Sequence, residues 1–460
     1  MFRRVLIANR GEIARRIIRA CHTVGAEAVA VFSEADREGP WLREADHTIC
    51  IGPGPSSQSY LDAEAVLQAA VQMECQALHP GFGFLSENAV FAQRCLSQSV
   101  MFVGPTPSAI RCMGDKATAR ETMRAAGLPV MPGGQGVLRS VDEARAAALE
   151  VGYPVLLKAT AGGGGRGMRR VDDPERLEAL YREASAEALK AFGNPDLYIE
   201  KFIVGGRHIE FQVLADHWGH VIHLGERECS VQRNHQKLIE EAPASRFDPV
   251  VREELGERIR DAVRAIGYRN AGTIEFLMDA FGHLYFMEMN TRIQVEHPVT
   301  EMVTGVDLVA WQLRIAAGQR LTIQQHDVRW DGHAIEVRIN AEDPTAGFRP
   351  APGRLERFVP PPLGAETGLR LDTCAEEGYR IPIFYDSMIG KLIAHGSTRA
   401  EALARLADGI DAFEIEGVPT TLGLHREILA DETFAAGEYT CRFLEERPVL
   451  ERLRAGTTPN

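Results

Sequence analysis

The stretch Arg3-Arg4-Val5-Leu6-Ile7-Ala8, followed by Glu12-Ile13-Ala14-Arg15-Arg16-Ile17-Ile18-Arg19-Ala20-Cys21, decides the fold class. Residues 3–8 read as a buried strand, whereas Ile13, Ile17, Ile18 and Cys21 fall on one helical face. The chain opens strand, then helix. Working outward, Ala28-Val29-Ala30-Val31-Phe32 predicts a second strand and residues 63–73 a helix. Ala77-Leu78-His79 and Val100-Met101-Phe102-Val103 predict further strands, the latter stopped by Gly104-Pro105. Strands alternating with helices imply a parallel sheet with helices on its faces, an α/β fold.

Gly and Pro cluster at Met131-Pro132-Gly133-Gly134, Gly193-Asn194-Pro195 and Arg349-Pro350-Ala351-Pro352-Gly353, with Pro360-Pro361-Pro362 beyond, which predicts domain or subdomain borders. Between 150 and 300, strands are expected over 154–158, 197–200, 209–214, 221–225, 273–277 and 284–289, with a helix over 251–266. At 460 residues, 45% hydrophobic and 25% charged, the chain is globular in composition. At roughly 100–200 residues per domain it holds two to four domains. Lys plus Arg number 51 against 64 Asp plus Glu, a net charge of −13, which argues against a general duplex-binding or membrane-surface protein. Any anionic ligand needs a local basic site. No run approaches the roughly 20 apolar residues of a membrane span. The apolar start ends at Asn9-Arg10-Gly11-Glu12, too early for a secretory signal, and the eight cysteines include no C-x-x-C pair. A cytoplasmic protein contacting neither nucleic acid nor membrane is expected.

Three constellations carry chemistry. Gly162-Gly163-Gly164-Gly165-Arg166-Gly167 lies between the strand ending at Lys158 and Met168-Arg169-Arg170-Val171, which suits a hairpin tip whose bare N–H groups close on phosphate, with Lys158 adding a charge. The alternative is a flexible linker. In the second, a turn centred between Phe281 and Gly282 would set Glu275 directly across from Glu288 on one sheet face. Two opposed carboxylates destabilise a sheet unless a cation sits between them, so with Asn290 one pleat on they suit a nucleotide-bound Mg²⁺. Two solvated glutamates beside Lys or Arg would look the same. Third, Glu288, Asn290, Arg292, Gln294 and Glu296 alternate with Met289, Thr291, Ile293 and Val295, so an extended chain points all five polar groups to one face. Arg292 offers a fork for a small oxyanion, and Glu296 a general base. His208, His235, Lys237 and the loop His79-Pro80-Gly81-Phe82-Gly83-Phe84-Leu85-Ser86-Glu87-Asn88 are weaker signals.

In order along the chain, Ile7-Ala8-Asn9-Arg10-Gly11-Glu12-Ile13-Ala14, the His79–Asn88 loop, Met113-Gly114-Asp115-Lys116, the glycine run, residues 288–298 and Tyr385-Asp386-Ser387-Met388-Ile389-Gly390-Lys391-Leu392 are similar to those of biotin carboxylases. The resemblance covers nearly the whole length. It implies an N-terminal parallel-sheet (pre-ATP-grasp) domain at 1–113, an ATP-grasp domain at 114–320 with a mobile lid at about 131–202, and a C-terminal mixed α+β domain at 331–446. Two departures stand out, neither at a proposed catalytic group: Ala161 before only four glycines, and Phe82 where many relatives carry Tyr.

By that resemblance Lys116 and Lys158 would hold ATP phosphates, Gly164 and Gly165 would close over them, and Glu200, Lys201, Phe202 and Ile203 would contact adenine, with His208 and His235 lining the site. Glu275, Glu288 and Asn290 would bind Mg²⁺ (or Mn²⁺). Lys237, Arg292, Gln294 and Val295 would bind bicarbonate, Glu296 would deprotonate it, Arg338 would stabilise the biotin enolate, and Phe82 would contact biotin. The implied reaction is ATP-dependent carboxylation of biotin through carboxyphosphate. With no E-A-M-K-M-like segment in this sequence, biotin is expected on a separate carrier protein, alongside carboxyltransferase subunits, with this chain a homodimer serving an acetyl-CoA carboxylase in fatty acid synthesis. Another ATP-grasp ligase, a non-catalytic nucleotide-binding regulator and a dehydrogenase are the competing readings.

Overall fold

The computed structural model describes residues 1–134, 136–160 and 168–456. The N-terminal strands are β1 (Arg4–Ile7), β2 (Glu27–Phe32), β3 (His47–Cys50), β4 (Ala77–His79) and β5 (Met101–Phe102). They form one sheet in the order β3-β2-β1-β4-β5, every pair parallel. Val5 and Ile7 join one apolar cluster and Leu6 and Ala8 another, so successive side chains enter opposite cores. That double burial explains why the strand reads as an unbroken apolar run. Strand β3 was not expected from the sequence: His47-Thr48-Ile49-Cys50 is a half-exposed edge with little apolar signal.

A small antiparallel sheet follows, ordered β7-β6-β8, from β6 (Val155–Ala159), β7 (Met168–Val171) and β8 (Leu197–Lys201). Lys158 pairs with Met168 across it, so the glycine-rich segment joins two antiparallel neighbours. Gly164 and Gly165 themselves lie outside the described residues.

The largest sheet has eight strands. It contains β9 (Arg207–Ala215), β10 (Val221–Arg233), β11 (Gln236–Ala242), β12 (Asn270–Met278), β13 (Leu284–Asn290) and β14 (His333–Asn340), with the C-terminal strands Met388–Gly396 and Leu369–Thr373. The order is β13-β12-β9-β10-β11-β14, then 388–396 and 369–373. The antiparallel β11–β14 pairing carries this sheet across 320–331 without a break.

Two expectations change here. Val221–Gly225 was expected to end at its glycine, yet β10 continues to Arg233. Gly225 (φ +82°) lies in a register irregularity between His223 and Glu226, a bulge rather than a terminator. It also sits under Trp330, whose Nε1 donates to Leu224 O at 2.8 Å. In the β12–β13 hairpin, Glu275 does pair with Glu288, but beyond a bulge Phe276 pairs with Phe286 and Met278 with Leu284, one residue off the uniform register. The Asp279 carboxylate accepts from the N–H groups of Phe281 and His283, both at 2.9 Å, and sets a different turn.

A Cβ at Gly225 would clash with the Trp330 indole at Nε1, and the backbone there has the positive φ that favours glycine. Gly225→Ala should therefore lower unfolding free energy by about 2–3 kcal/mol through strain plus overpacking, read as a shifted urea midpoint.

Candidate active site

Strands β9 to β14 and one loop deliver the site. Glu210 lies on β9, Arg227 and Cys229 on β10, Lys237 and Glu240 on β11, Glu275 on β12, and the loop after β13 brings Arg292, Gln294 and Glu296. Lys237 Nζ contacts three carboxylates: Glu210 Oε2 at 2.6 Å, Glu275 Oε1 at 3.1 Å and Glu296 Oε1 at 2.6 Å. Burial alone would strip the proton from this ammonium, but the three carboxylates raise its pKa well above the usual lysine range. Arg227, wholly buried, donates from Nε to Glu210 Oε1 at 2.7 Å and from Nη1 to Gln212 and Thr300, each at 2.9 Å. Burial opposes ionisation of Glu210 and Glu275, yet Lys237 and Arg227 hold the first, and Lys237 and His208 the second, far below the ordinary carboxylate range.

The extended-strand expectation for residues 288–296 is wrong beyond Asn290. Strand β13 ends there, the chain bends, and Glu296 (φ −82°, ψ 11°) begins the helix His297–Thr304 with Pro298 in its first turn. The polar groups still converge, through loop geometry. Arg292 Nη1 donates to Gln294 Oε1 at 2.8 Å and Nη2 to Asn290 Oδ1 at 3.1 Å, while Gln294 Nε2 and Asn290 Nδ2 reach Glu275 Oε1 at 3.1 and 2.8 Å.

Glu296 is fully buried between cations, with Arg338 Nη2 3.1 Å from Oε2. Burial raises its carboxyl, but Lys237, Arg338 and Arg227 bring it below the usual value, so it is an ionised base at neutral pH. Arg338 also donates from Nε to Glu240 Oε1 at 2.6 Å. Glu240 faces Glu336 across β11 and β14, and burial raises Glu240 to about 7 and also pushes Glu336 well above the ordinary carboxylate range. Glu296 is thus the more firmly ionised partner of Arg338.

His208 Nε2 stands 3.4 Å from Glu275 Oε2 and 3.5 Å from Glu210 Oε2. Burial and Lys237 disfavour its proton, but the two carboxylates outweigh them and raise it to about 9. Glu275 and Glu288 are register partners, and with Asn290 they offer the hard oxygen donors that Mg²⁺ requires. Here their positive neighbours are Lys237 and His208 for Glu275, and Lys116, 3.6 Å from Oε2, for Glu288.

The other sequence-derived residues are less uniformly placed. Lys158 Nζ bonds Glu200 Oε2 at 2.5 Å, and Arg120 Nη1 bonds Glu200 Oε1 at 3.2 Å. Lys201 turns away and donates to the carbonyls of Gly152 and Tyr153, both at 2.8 Å. Phe202 lies under Arg170 at 4.5 Å, and Ile203 is half-buried. His235 is exposed at the β10–β11 turn with φ 67°, not packed into the cluster. Phe82 is half-buried against an apolar cluster shared by N-terminal and C-terminal elements, its carbonyl accepting from Asn9 Nδ2 at 2.7 Å. Val295 O accepts from Lys391 Nζ at 2.7 Å, and this fully buried lysine also stands 3.2 Å from Glu12 Oε1.

The sequence reading gave no role to Glu210, Arg227, Glu87 or Lys391. Glu87 and Lys391 lie inside motifs already quoted and Glu210 inside the expected strand 209–214, so position in those stretches was the available signal. Arg227 had none, because β10 is buried on both faces from Val221 to Val231 and shows no alternation.

Because folding raises His208 from 6.5 to about 9, its charge contributes stability that is complete below about pH 6.5 and lost as pH rises through about 9. Melting temperature should fall across that window, and His208→Gln should flatten the slope. An unchanged slope in the variant would contradict the assignment.

Comparison with known proteins adds three domain matches: "Biotin carboxylase, N-terminal domain" at residues 1–110, "Carbamoyl-phosphate synthase L chain, ATP binding domain" at 115–324, and "Biotin carboxylase C-terminal domain" at 336–446. The biotin carboxylase of Nostoc sp. is 52% identical over 97% of this chain and 99% of its own. Among solved structures, the biotin carboxylase domain dimer of Hydrogenobacter thermophilus 2-oxoglutarate carboxylase, in complex with MgADP, ADP and bicarbonate, superposes with TM-score 0.92 at 49% identity, covering 98% of each chain. A biotin carboxylase subunit of pyruvate carboxylase does so with TM-score 0.86 at 50% identity, covering 98% of this chain and 99% of that one.

Proposed function

The chain belongs to the biotin carboxylase family of ATP-dependent ligases, and from that premise we propose that it carboxylates biotin on a separate carrier protein, using bicarbonate and MgATP through carboxyphosphate. The carrying observation is the placement of one ionised, fully buried carboxylate, Glu296, between Lys237 and Arg338.

In this reading Lys237, Arg292, Gln294 and the Val295 backbone hold bicarbonate, and Glu296 takes its proton as the oxygen attacks the γ-phosphate. Lys116, Lys158, Gly164 and Gly165 hold the phosphates, residues 200–203 contact adenine, and His208 and His235 border the nucleotide. Glu275, Glu288 and Asn290 would hold Mg²⁺, which neutralises phosphate oxygens during transfer. Such transfer depends on positioning and charge neutralisation, the two things this cluster supplies. Carboxyphosphate then releases CO₂, phosphate takes the biotin N1′ proton, and Arg338 stabilises the enolate that captures CO₂, with Phe82 against the biotin. The lid at about 131–202 shields the intermediate from water.

We further assign domains at 1–113, 114–320 and 331–446, a homodimer, a cytoplasmic location, and partnership with a biotin carboxyl carrier protein and carboxyltransferase subunits. Among the described residues no helix is long and apolar enough to cross a membrane. For the final acceptor we favour acetyl-CoA, in fatty acid synthesis. The names of the relatives do not agree on one, since 2-oxoglutarate and pyruvate carboxylases both appear.

ADP release should require bicarbonate and rise with free biotin; equal rates in bicarbonate-free buffer would refute the reading. Glu296→Gln should suppress bicarbonate-dependent ATP cleavage. Arg338→Gln should cost biotin carboxylation about 3–4 kcal/mol of transition-state stabilisation, more than it costs ATP cleavage. With the two side chains 3.1 Å apart, the double variant should lose less than the sum.

A further inference from the structure

Glu87 ends the loop after β4, and it is where the N-terminal sheet touches the anion-binding loop that follows β13. Its Oε1 accepts from the Thr291 N–H at 3.0 Å and the Thr291 hydroxyl at 3.3 Å, and its Oε2 accepts from Arg292 Nε at 2.9 Å. One carboxylate therefore grips the backbone of one residue and the guanidinium of the next. It is the only carboxylate paired with Arg292 among the described residues.

The remaining Arg292 contacts are neutral. Nη1 donates to Ile293 O at 3.2 Å and Gln294 Oε1 at 2.8 Å, and Nη2 donates to Asn290 Oδ1 at 3.1 Å. A guanidinium has five N–H groups in one plane. With Nε fixed by Glu87 and Nη1 by the loop, the plane can no longer rotate about the side-chain axis, and one Nη2 N–H is left without a partner among the described residues. Glu87 is 41% exposed at its side chain, so it is not a core packing element.

We propose that Glu87 is a positioning residue for bicarbonate: it fixes the plane of Arg292 and the bend at Thr291, so that the anion meets a preset fork rather than a mobile side chain. This rests on the reading that Arg292 binds bicarbonate. It makes the N-terminal sheet part of an anion site whose other groups come from the eight-stranded sheet and the loop after it.

The test is steady-state kinetics and thermal melting of Glu87→Gln, Arg292→Lys and the double variant. Glutamine can still accept from Thr291 but loses the charge facing Arg292 Nε. Glu87→Gln should raise the bicarbonate KM about tenfold, the scale of one charge-assisted hydrogen bond at a partly exposed site. The ATP KM and kcat at saturating bicarbonate should stay within about twofold, as for loss of uniform binding to one substrate. The melting temperature should move by less than about 2 °C. In the Arg292→Lys background the second substitution should add less than about twofold, because the two act as one unit. An unchanged bicarbonate KM in Glu87→Gln, with a raised one in Arg292→Lys, would overturn this proposal alone. So would a parallel rise of both KM values with a lowered melting temperature, the mark of a merely structural contact. An unchanged bicarbonate KM in Arg292→Lys would remove the reading of Arg292 and this proposal with it.

Discussion

One ammonium holds the site together. Lys237 Nζ lies within 3.1 Å of carboxylates from Glu210, Glu275 and Glu296, all buried, and it ties β9, β11, β12 and the loop after β13 to a single point. Without it three negative charges would share a space that water does not reach, and breaking one buried pair alone typically costs about 3–5 kcal/mol. Arg227 and Arg338 complete the balance from the strands on either side of β11. Counting His208, four cations face these three carboxylates and Glu240, which Arg338 also holds. In a chain of net charge −13 this is a local concentration of basic side chains.

The same balance sets chemical roles. A carboxylate buried to the extent of Glu296 would ordinarily hold its proton, and its flanking cations are what leave it free to accept one. Glu240 and Glu336, on the same sheet but with fewer cations near them, are pushed the other way. Carboxyl groups on neighbouring strands and one loop thus divide, by environment alone, into one that ionises readily and two that hold their protons longer.

Contacts from outside the ATP-binding region fasten the loop that carries Arg292 and Glu296. Lys391, on a C-terminal strand, donates to Val295 O and faces Glu12 from the N-terminal region. Glu87 holds Thr291 and Arg292 from the N-terminal sheet. The eight-stranded sheet, unbroken through the β11–β14 pairing, fixes the distance between Lys237 on β11 and Arg338 on β14. A rigid sheet places the cations, and the loop brings the base to them.

The parallel N-terminal sheet, the β12–β13 hairpin with Glu275 opposite Glu288, and the polar run 288–296 were all legible in the sequence, because apolar runs and period-two alternation are local signals. The bulges at Gly225 and in the hairpin were not, since a glycine or a turn reads the same whether it ends a strand or kinks it. Nor was the bend after Asn290: alternation suggested a strand, and only the bonds to Glu275 show Asn290 at the strand end and Gln294 in the loop converging on one carboxylate. Sequence by itself determined the class of fold and which side chains to propose for the chemistry. Tertiary structure alone decided that Glu210, Arg227, Glu87 and Lys391 belong with them. A buried or bridging charge is tolerated only beside its partner, and here that partner can lie 204 residues away, as Glu87 does from Thr291, beyond the reach of any local pattern.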